Sequence, residues 1–492
     1  MPAMTMADLR EEMMALSTGA VKSETFDIRV DPEVAFSEII DRRGYAYWLD
    51  AGPSADSGWS YMGQVGGGFD ESPGFVILGE PDQGRTRILQ PATGCALDVE
   101  DSVIGVVSDT LRRLEALSEG CSLGCVGWIG YESAALESGA APRASTADPD
   151  SVLLYPARQI AFDHSRRQVR LSSLLTGDAE SDDQWRRRML AALRALDGRC
   201  PTEPVRPPEL EPVTARSSPG EYRAQIEECQ RRIADGDAYQ LCLTNQFRTT
   251  TDEDPLAIYQ RLRRINPTQH GGFIVAGEHS LLSSSPEMFL DVASDGLVTT
   301  KPIKGTRRRG GTPREDRHLL EELRNDSKEL AENLMIVDLM RNDLTSVSEL
   351  GSVVVPSLFD VEEHPNVFQL VSTVRGRLRP GTSLRQLLRS TFPAGSMTGA
   401  PKAAAMQILH GLEASPRGAY AGAFGYMGVD GNVRLAMTIR TIMLNGSEVR
   451  IGSGGGITAL SQPDFEIEET VIKIRPLLTA LGSSIGDFGG YR

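Results

Sequence analysis

Features that would place a chain in several other classes of protein are scarce or missing here. The six cysteines among 492 residues, at positions 95, 121, 125, 200, 229 and 242, follow neither a disulfide framework nor the ligand spacing of a zinc site. No stretch approaches the run of about 18 apolar residues that crosses a membrane. The N-terminus lacks the basic start and apolar core of a secretory signal. We therefore expect a cytoplasmic protein with reduced thiols and no membrane partner.

Lysine is the second scarcity. Of the 51 basic residues only six are lysines, at positions 22, 301, 304, 328, 402 and 473, and the rest are arginines. Lysine can lose its proton, act as a nucleophile or serve as a compact point charge, which arginine cannot do. The formal net charge is −16, and such a balance argues against nucleic acid as the main partner.

Several catalytic motifs are also absent. The sequence has no HExxH and no GxSxG, and its six histidines show no metal-ligand spacing. It contains no GxCxGxQ cysteine elbow of the kind that a glutamine amidotransferase needs. Zinc-peptidase, serine-hydrolase and glutaminase chemistry are therefore not expected of this chain itself.

The chain divides by composition. Residues 198–220 are rich in proline and predict a linker between a less regular portion, 1–197, and a motif-dense region, 221–482, followed by a tail, 483–492. Ser218 and Glu221 form a predicted capping box. The segment 238–247 then alternates as a strand. Because strands and helices do not alternate regularly, the pattern predicts an α+β fold.

A candidate nucleophile stands at the end of a strand-like run, in the segment 302–306, PIKGT. A lysine between apolar and glycine neighbours can be partly buried, and burial lowers its pKa toward the range of a nucleophile. The arginines that follow, Arg307 to Arg309, are more typical of a solvated strand edge. Lys304 is therefore singled out, with an ordinary structural lysine as the alternative.

Two predicted helices carry paired carboxylates. Glu329 and Glu332 are three residues apart and share a helical face. A second helix is predicted from Pro463, with an apolar stripe of Ile467, Val471, Ile474 and Leu478. Beside it lies a polar stripe of Glu466, Glu469 and Lys473. Carboxylates from two helices could converge on Mg²⁺, although the spacing alone favours two ordinary solvated faces.

Two glycine-rich segments complete the set. The segment 452–457, GSGGGI, is predicted to be a loop whose N–H groups face an anion near a helix N-terminus. The segment 395–402, GSMTGAPK, is a turn that leads into a helix. Neither is a P-loop or a dinucleotide fingerprint.

Taken in order, these segments resemble the chorismate-utilising enzymes. The resemblance is carried by DAYQLCLTN, SSSPEMFL, PIKGTRRRG, ELAENLMIVDLMRND, VFQLVSTVRG, AGSMTGAPK, AYAGAFGYMG, LAMTIRT, GSGGGIT and DFEIEETVIK. It covers about 220–480 strongly and the N-terminal portion loosely. It implies a large two-sheet sandwich with helices packed outside the sheets, acting on chorismate with Mg²⁺ as cofactor.

The resemblance also implies roles for particular residues. Lys304 would be the nucleophile, Glu287 the general acid, and Thr306 and Gln240 further catalytic-site residues. The implied Mg²⁺ ligands are Glu332 and Glu469, supported by Glu329 and Glu466. The implied substrate-binding residues are Gly305, Ser396, Tyr420, Arg440, Gly455, Gly456 and Lys473.

Three positions sort the branches of this family. Relatives that add water to chorismate resemble one another in a lysine base where this chain has Gln240, and a neutral amide cannot deprotonate water. Anthranilate-forming relatives typically have alanine in place of Lys304, and many have histidine in place of Gln369. The resemblance therefore implies amination at C4, with retention of the enolpyruvyl group and ammonia from a separate glutamine amidotransferase. Neither a folate nor a natural-product pathway is favoured.

Other interpretations stay open at this point. The chain could make anthranilate or 2-amino-2-deoxyisochorismate, or it could be a catalytically silent binding subunit. Some relatives bind tryptophan in the N-terminal portion, where this chain has Trp48 and Tyr61. Phe368 stands where histidine is frequent in relatives, and it could reshape the rim of the pocket.

Overall fold

The computed structural model describes residues 21–66, 74–80, 84–115, 123–137, 149–174, 179–364, 367–488 and 490. The first 20 residues, Cys121 and three residues of the predicted tail lie outside that set. Four of the described cysteines, at positions 125, 200, 229 and 242, are free thiols. Within the described ranges, no helix combines the length and the apolar character needed to cross a membrane.

The described part contains eleven helices. Their bounds are α1 Pro32–Ile39, α2 Val103–Glu115, α3 Tyr131–Glu137, α4 Ala179–Ala195, α5 Pro219–Ala234, α6 Pro255–Ile265, α7 Pro313–Asn325, α8 Ser327–Thr345, α9 Leu384–Thr391, α10 Lys402–Glu413 and α11 Pro463–Leu481.

Twenty-four strands accompany these helices in the described ranges. Their bounds are β1 Val21–Phe26, β2 Tyr45–Asp50, β3 Trp59–Val65, β4 Gly74–Glu80, β5 Arg85–Gln90, β6 Cys95–Val99, β7 Gly124–Ile129, β8 Ser151–Pro156, β9 Arg158–Asp163, β10 Gln168–Leu174, β11 Thr214–Ala215, β12 Gln240–Thr250, β13 His270–Ala276, β14 His279–Ser285, β15 Met288–Val292, β16 Leu297–Thr300, β17 Ile303–Arg308, β18 Val354–Glu363, β19 Val367–Arg377, β20 Gly399–Ala400, β21 Ala423–Gly428, β22 Val433–Met437, β23 Thr441–Asn445 and β24 Glu448–Ile457.

The strands form two twelve-stranded antiparallel sheets. The first has the order β1-β10-β9-β3-β2-β13-β14-β23-β24-β12-β11, with β20 paired to β12. The second has the order β17-β19-β16-β15-β22-β21-β7-β8-β4-β5-β6, with β18 paired to β19. The expected two-sheet sandwich is confirmed.

Strands from the N-terminal portion are built into both sheets. In the first sheet β2 pairs with β13, and in the second β7 pairs with β21. Between the two portions, residues 201–212 contain no helix or strand. In each sheet the strands of the motif-dense region, 221–482, therefore lie together, and strands from the N-terminal portion extend the sheet on one side.

Apolar clusters on the two faces of each sheet define the layers. One lies between the sheets and joins Tyr47 of the first sheet to Trp128 of the second. The neighbouring residue of β2, Trp48, points to the opposite face and packs with Phe36 of α1 and Tyr259 of α6. Because successive strand residues face opposite sides, each sheet packs on the other with one face and on helices with the other face. Helices thus lie outside the sheets.

Local signals in the sequence account for the elements that carry the site. Ser218 and Glu221 form the predicted capping box of α5, and Pro463 starts α11. In β12, Leu241 and Leu243 are fully buried on the helix-covered face. Tyr239, which the predicted strand 238–247 includes, precedes β12 and is largely exposed.

A buried ion pair joins the elements around the site. Arg417 is almost fully buried, lies 2.7 Å from Glu413 of α10, and donates to the carbonyls of Met397 and Cys242 at 2.7 and 2.9 Å. Its guanidinium also stacks over the Tyr131 ring at 4.3 Å. Arg417 therefore holds α3, α10, β12 and the 395–397 turn together.

Replacing Arg417 with methionine should destabilise the protein by about 3–5 kcal/mol, because Glu413 would be left buried and unpaired. Urea-induced unfolding measures the change. The matched control is Arg232→Met, which removes a half-exposed partner of Glu228 and should cost less than about 1 kcal/mol. Equal losses in the two variants would contradict this assignment.

Candidate active site

Lys304 lies on β17 at an irregularity in the strand pairing. Ile303 pairs with Val371 and Thr306 pairs with Gln369, so two residues, Lys304 and Gly305, oppose one residue of β19. Gly305 adopts a φ of +80°, which glycine tolerates without strain. A bulge of this kind redirects the side chain beside it. As a result the Lys304 side chain is only 15% exposed.

The Lys304 amine and the neutral amide of Gln240 lie against the same glycine, Gly456. A Cβ atom placed on Gly456 would lie 2.1 Å from Gln240 Nε2 and 3.2 Å from Lys304 Nζ. Both side chains therefore pack against the bare backbone of Gly456, and only glycine fits there. Gln240 is buried, and neither its Nε2 nor its Oε1 has a hydrogen-bond partner. An unpaired amide in a pocket is available to a bound molecule.

The glycine run 452–457 is not a loop, as the sequence suggested, but the end of β24. It continues the pairing with β12, where Gly456 lies opposite Cys242. The other neighbour, β23, is paired only as far as Ile451, so the rest of β24 has one edge not paired with β23. The carbonyl of Gly454 faces this edge and accepts from Lys473 Nζ at 2.7 Å. Backbone N–H groups can meet an anion here.

Carboxylates from α8 and α11 meet lysines in one group, which we call the acidic cluster: Glu329, Glu332, Glu466, Glu469, Lys304, Lys328 and Lys473. Lys304 Nζ lies 3.7 Å from Glu332, and Lys473 Nζ lies 2.7 Å from Glu469. Lys328 Nζ lies 3.3 Å from Glu466 and 3.8 Å from Glu332. Both predicted acidic helices form, and three of the six lysines meet their carboxylates.

The charges in the acidic cluster shift one another's pKa values. Lys473 holds the pKa of Glu469 at about 2, although half of that side chain faces open space. Burial, followed by repulsion from Glu332 and Glu469, raises the pKa of Glu329. Burial also raises the pKa of Glu466.

The expectation of a lowered pKa for Lys304 is wrong. Burial acts in that direction and is the largest influence, but Glu332, Cys242, Glu469 and Glu287 together outweigh it, and the pKa is raised. The sequence alone could not give this sign, because the opposing charges come from distant segments. Lys304 is therefore an ammonium group as long as the neighbouring carboxylates are ionised.

Glu287 lies in the connection between β14 and β15, where it is buried and contacts the 395–397 turn. Burial raises the pKa of its carboxyl to about 7, and a hydrogen bond from Ser396 is the largest opposing influence. That bond joins Ser396 Oγ to Glu287 Oε1 at 3.0 Å. The charges of Lys304 and Lys473 also act on Glu287. A carboxyl with a pKa near neutrality suits a proton donor.

Tyr420 and Arg440 lie on the other side of the glycine run. The Tyr420 ring packs directly on Gly452, where a Cβ would lie 2.1 Å from the ring. Arg440 Nη1 donates to the carbonyl of Lys473 at 2.9 Å. Burial, opposed by the charges of Glu469 and Tyr420, lowers the pKa of Arg440. Arg440 therefore contacts a member of the acidic cluster, and Tyr420 is near enough to act on the charge of Arg440.

Three further positions from the sequence analysis have different surroundings. Gly455 faces α11, where an added Cβ would lie 3.2 Å from Glu466 and 3.9 Å from Lys473 Nζ. Thr306 is exposed and lies opposite Gln369. Phe368 does not reshape a rim: it is buried with Leu323 on the other face of β19, beneath the Arg309 guanidinium.

The arginines after Lys304 are engaged in ion pairs. Arg307 contacts Asp326 at 2.7 Å and Glu329 at 3.6 Å, and Arg309 contacts Asp316 at 2.6 Å. They form the strand edge that the sequence indicated, and Arg307 ties that edge to the start of α8.

In the N-terminal portion, Trp48 and Tyr61 have different surroundings. Trp48 is fully buried, stacked on Phe36 and beneath the Arg263 guanidinium. Tyr61 stacks on Tyr426 and borders a cavity of about 210 Å³ between the sheets.

Sequence reasoning gave Lys328 no role, although it lies between the two acidic helices. Its signal was available: it is one of six lysines, and it precedes Glu332 by four residues, so the two share a helical face. The contact with Glu466 was not readable, because that residue is 138 positions away.

The chain is a two-sheet sandwich. A lysine, a buried carboxylic acid and the acidic cluster lie around the glycine-rich end of β24. The family described as chorismate binding enzyme matches residues 74–479. The chain therefore belongs to the chorismate-binding enzyme family.

Several relatives can be named. Aminodeoxychorismate synthase of Streptomyces griseus is 40% identical over 473 residues, which cover 94% of this chain and 64% of the relative. The chloroplastic aminodeoxychorismate synthase of Arabidopsis thaliana is 36% identical over 465 residues, 88% of this chain and 50% of the relative. The chain thus spans about half to two thirds of these relatives. Anthranilate synthase component 1 of Haloferax volcanii is 31% identical, with 92% of both chains covered.

Solved structures share the fold. Anthranilate synthase component I from Streptococcus pneumoniae TIGR4 superposes with a TM-score of 0.72 at 27% identity, covering 92% of this chain and 98% of that chain. The menaquinone-specific isochorismate synthase MenF from Escherichia coli has a TM-score of 0.66 at 17% identity, covering 96% and 99%. The second comparison supports the fold alone.

Proposed function

We propose that this chain aminates chorismate at C4 to give 4-amino-4-deoxychorismate, with ammonia from a separate glutamine amidotransferase. The observation that carries the proposal is the place of Lys304, whose amine lies 3.7 Å from Glu332 and beside the unpaired amide of Gln240. The relatives named aminodeoxychorismate synthase support the choice of reaction.

In the proposed reaction Lys304 first releases its ammonium proton to solvent, and the neutral amine then attacks C2 of the ring. The ring double bond shifts, and the C4 hydroxyl leaves as water after it receives the proton of Glu287. Ammonia then attacks C4, the double bond shifts back and the bond between C2 and Lys304 breaks. The proton that the new amine loses restores Glu287. Because two displacements occur, the substituent stays at C4.

Two neutral amides restrict the alternatives. Gln240 cannot deprotonate water, so it leaves ammonia as the nucleophile, and its Oε1 can accept a hydrogen bond from that ammonia. Gln369 cannot take a proton from the ring, so loss of pyruvate and aromatisation have no base there. Tyr420, Arg440, Lys473 and the N–H groups at Gly455 and Gly456 are assigned to the two substrate carboxylates.

The acidic cluster fits a hydrated Mg²⁺ ion. Glu332 Oε1 is buried without a hydrogen-bond partner, and the raised pKa of Glu329 reflects burial and repulsion among the carboxylates. Among the described residues, no three acidic, histidine or cysteine side chains form a ready ligand group. Mg²⁺ often keeps waters and takes one or two carboxylates. We therefore assign Glu332 and Glu469 as ligands, with Glu329 and Glu466 acting through water.

Bound there, Mg²⁺ would attract the substrate carboxylate and offset the charge that keeps Lys304 protonated. The protein's own contribution is to bury the amine, which disfavours its charged form, and to hold it against Gly456. Glu287 keeps its proton through burial, which raises the pKa of its carboxyl to about 7.

Product identification tests the proposed function. The chain is incubated with chorismate, Mg²⁺ and ammonium. The products are separated by chromatography, and their masses are measured by mass spectrometry. We expect a non-aromatic amino product that retains the enolpyruvyl group, with the amine at C4 by NMR. Anthranilate, or an amine at C2, would instead identify the chemistry of the anthranilate-forming relatives. Binding of chorismate without turnover would indicate a silent subunit.

Replacing Glu332 with glutamine should weaken Mg²⁺ binding by at least about 100-fold, because the substitution removes a charged ligand. Calorimetric titration with Mg²⁺ measures the effect without any turnover. Glu321→Gln, on the exposed face of α7, is the control and should leave the titration unchanged. Unaltered Mg²⁺ affinity in Glu332→Gln would remove this residue from the metal site.

A further inference from the structure

Each lysine of the acidic cluster has a different setting. Lys473 lies on α11 and is held by the Gly454 carbonyl, and Lys304 lies on β17 against Gly456. Lys328 belongs to the first turn of α8 and alone joins the carboxylates of both helices, at 3.3 Å from Glu466 and 3.8 Å from Glu332. It makes a hydrogen bond to Glu466 Oε1.

The position of Lys328 overlaps the assigned metal site. The Glu332 oxygen that it approaches, Oε1, is the one that has no hydrogen-bond partner. Lys304, Lys473 and Arg307 already offset part of the charge of the four glutamates. Lys328 and a divalent cation would therefore compete for the negative charge that is left.

Lys328 is also able to leave. Its side chain is 43% exposed, whereas the carboxylates it contacts are nearly buried. A lysine stem has four flexible carbons and ends in a strongly hydrated ammonium, so rotation into water is inexpensive. An arginine, which this chain uses at most basic positions, would bind carboxylates through a fixed fork.

We propose that Lys328 is an internal counter-cation that competes with the divalent metal for Glu332 and Glu466. In the metal-free protein it neutralises these carboxylates and ties the start of α8 to α11. Metal binding displaces the ammonium group into solvent. Lys328 thereby weakens the affinity of the free protein for metal and keeps Glu332 and Glu466 neutralised until metal binds. The inference rests on the proposed metal site but not on the product of the reaction.

The test uses Mn²⁺ alone as the probe, with no substrate. Mn²⁺ binding to the full chain is titrated by electron paramagnetic resonance in wild type, Lys328→Met, Lys328→Arg and Lys301→Met. We expect Lys328→Met to bind Mn²⁺ about tenfold more tightly, because one repelling charge near the metal is gone. Lys328→Arg keeps the charge and should not gain affinity. Lys301, whose partner is Glu362 on β18, is the matched control and should show no change.

Hydrogen exchange supplies a second readout that a purely structural lysine would not reproduce. Without metal, amides in the first turns of α8 should exchange faster in Lys328→Met than in wild type, and Mn²⁺ should remove that difference. Unchanged or weaker Mn²⁺ binding in Lys328→Met would overturn the proposal, as would absence of Mn²⁺ binding in wild type. If Lys328→Met does not fold, Lys328→Gln takes its place. A product other than the C4 amine would leave these titrations unaffected, so the two proposals fail separately.

Discussion

Replacing Lys304 with methionine should lower formation of the C4-amino product by at least about a thousandfold, since removal of a nucleophile eliminates the main route of the reaction. Methionine fills a similar volume but has no amine, so the pocket against Gly456 is kept. The rate is measured by chromatography and mass spectrometry at saturating ammonium. Chorismate binding, measured by calorimetry with Mg²⁺ present, should change far less than the rate.

Lys301→Met provides the control for this substitution. Lys301 lies three residues earlier, pairs with Glu362 on the surface and is 41% exposed, so its loss should leave turnover within a factor of two or so. Lys304→Ala has a further expected outcome: with space beside C2, ammonia can attack there and give the C2 amine. Retention of a tenth of the wild-type rate in Lys304→Met would contradict covalent catalysis by this residue.

Replacing Glu287 with glutamine should lower the rate by about 10²–10⁴-fold, the range expected for loss of a general acid. Burial raises the pKa of Glu287 to about 7, so the acid is protonated below that pH and loses its proton above it. The wild-type rate should therefore fall as pH rises through about 7. The decline should be missing from the residual activity of Glu287→Gln.

Ser396→Ala is the companion variant for this pH profile. Ser396 donates a hydrogen bond to Glu287 Oε1 and so favours the ionised carboxylate. Removing the hydroxyl should raise the pKa of Glu287 and move the decline to higher pH, without abolishing activity. A profile that is the same in wild type, Glu287→Gln and Ser396→Ala would show that another group controls the pH dependence.

Local signals predicted the helices and their polar faces. The capping box at Ser218, the proline at 463 and the spacing of Glu329 and Glu332 each depend on a few neighbouring residues, and each formed as predicted. The alternation of β12 likewise placed Gln240 and Leu241 on opposite faces. Elements of this kind can be predicted because the 3.6-residue period of helices and the 2-residue period of strands bring their side chains to one surface.

Features that depend on distant partners could not be predicted from the sequence. The glycine run was predicted to be a loop, but pairing with β12, some 200 residues earlier, extends it as strand. The pKa of Lys304 is raised rather than lowered because charges arrive from α8, α11 and the segment after β14. The bulge at Lys304 and Gly305 depends on β19. Resemblance supplied the residue set, but only the fold supplies its electrostatics.

The bond between Lys304 and the ring can be sought directly. The wild-type chain is mixed with chorismate and Mg²⁺ without ammonium, quenched with acid within milliseconds to seconds, digested and mapped by mass spectrometry. The account predicts that the peptide carrying Lys304 gains the mass of chorismate less one water, and that a chase with ammonium removes this adduct and releases the C4 amine. An unmodified Lys304 at every quench time, in protein that forms the C4 amine once ammonium is added, would contradict it.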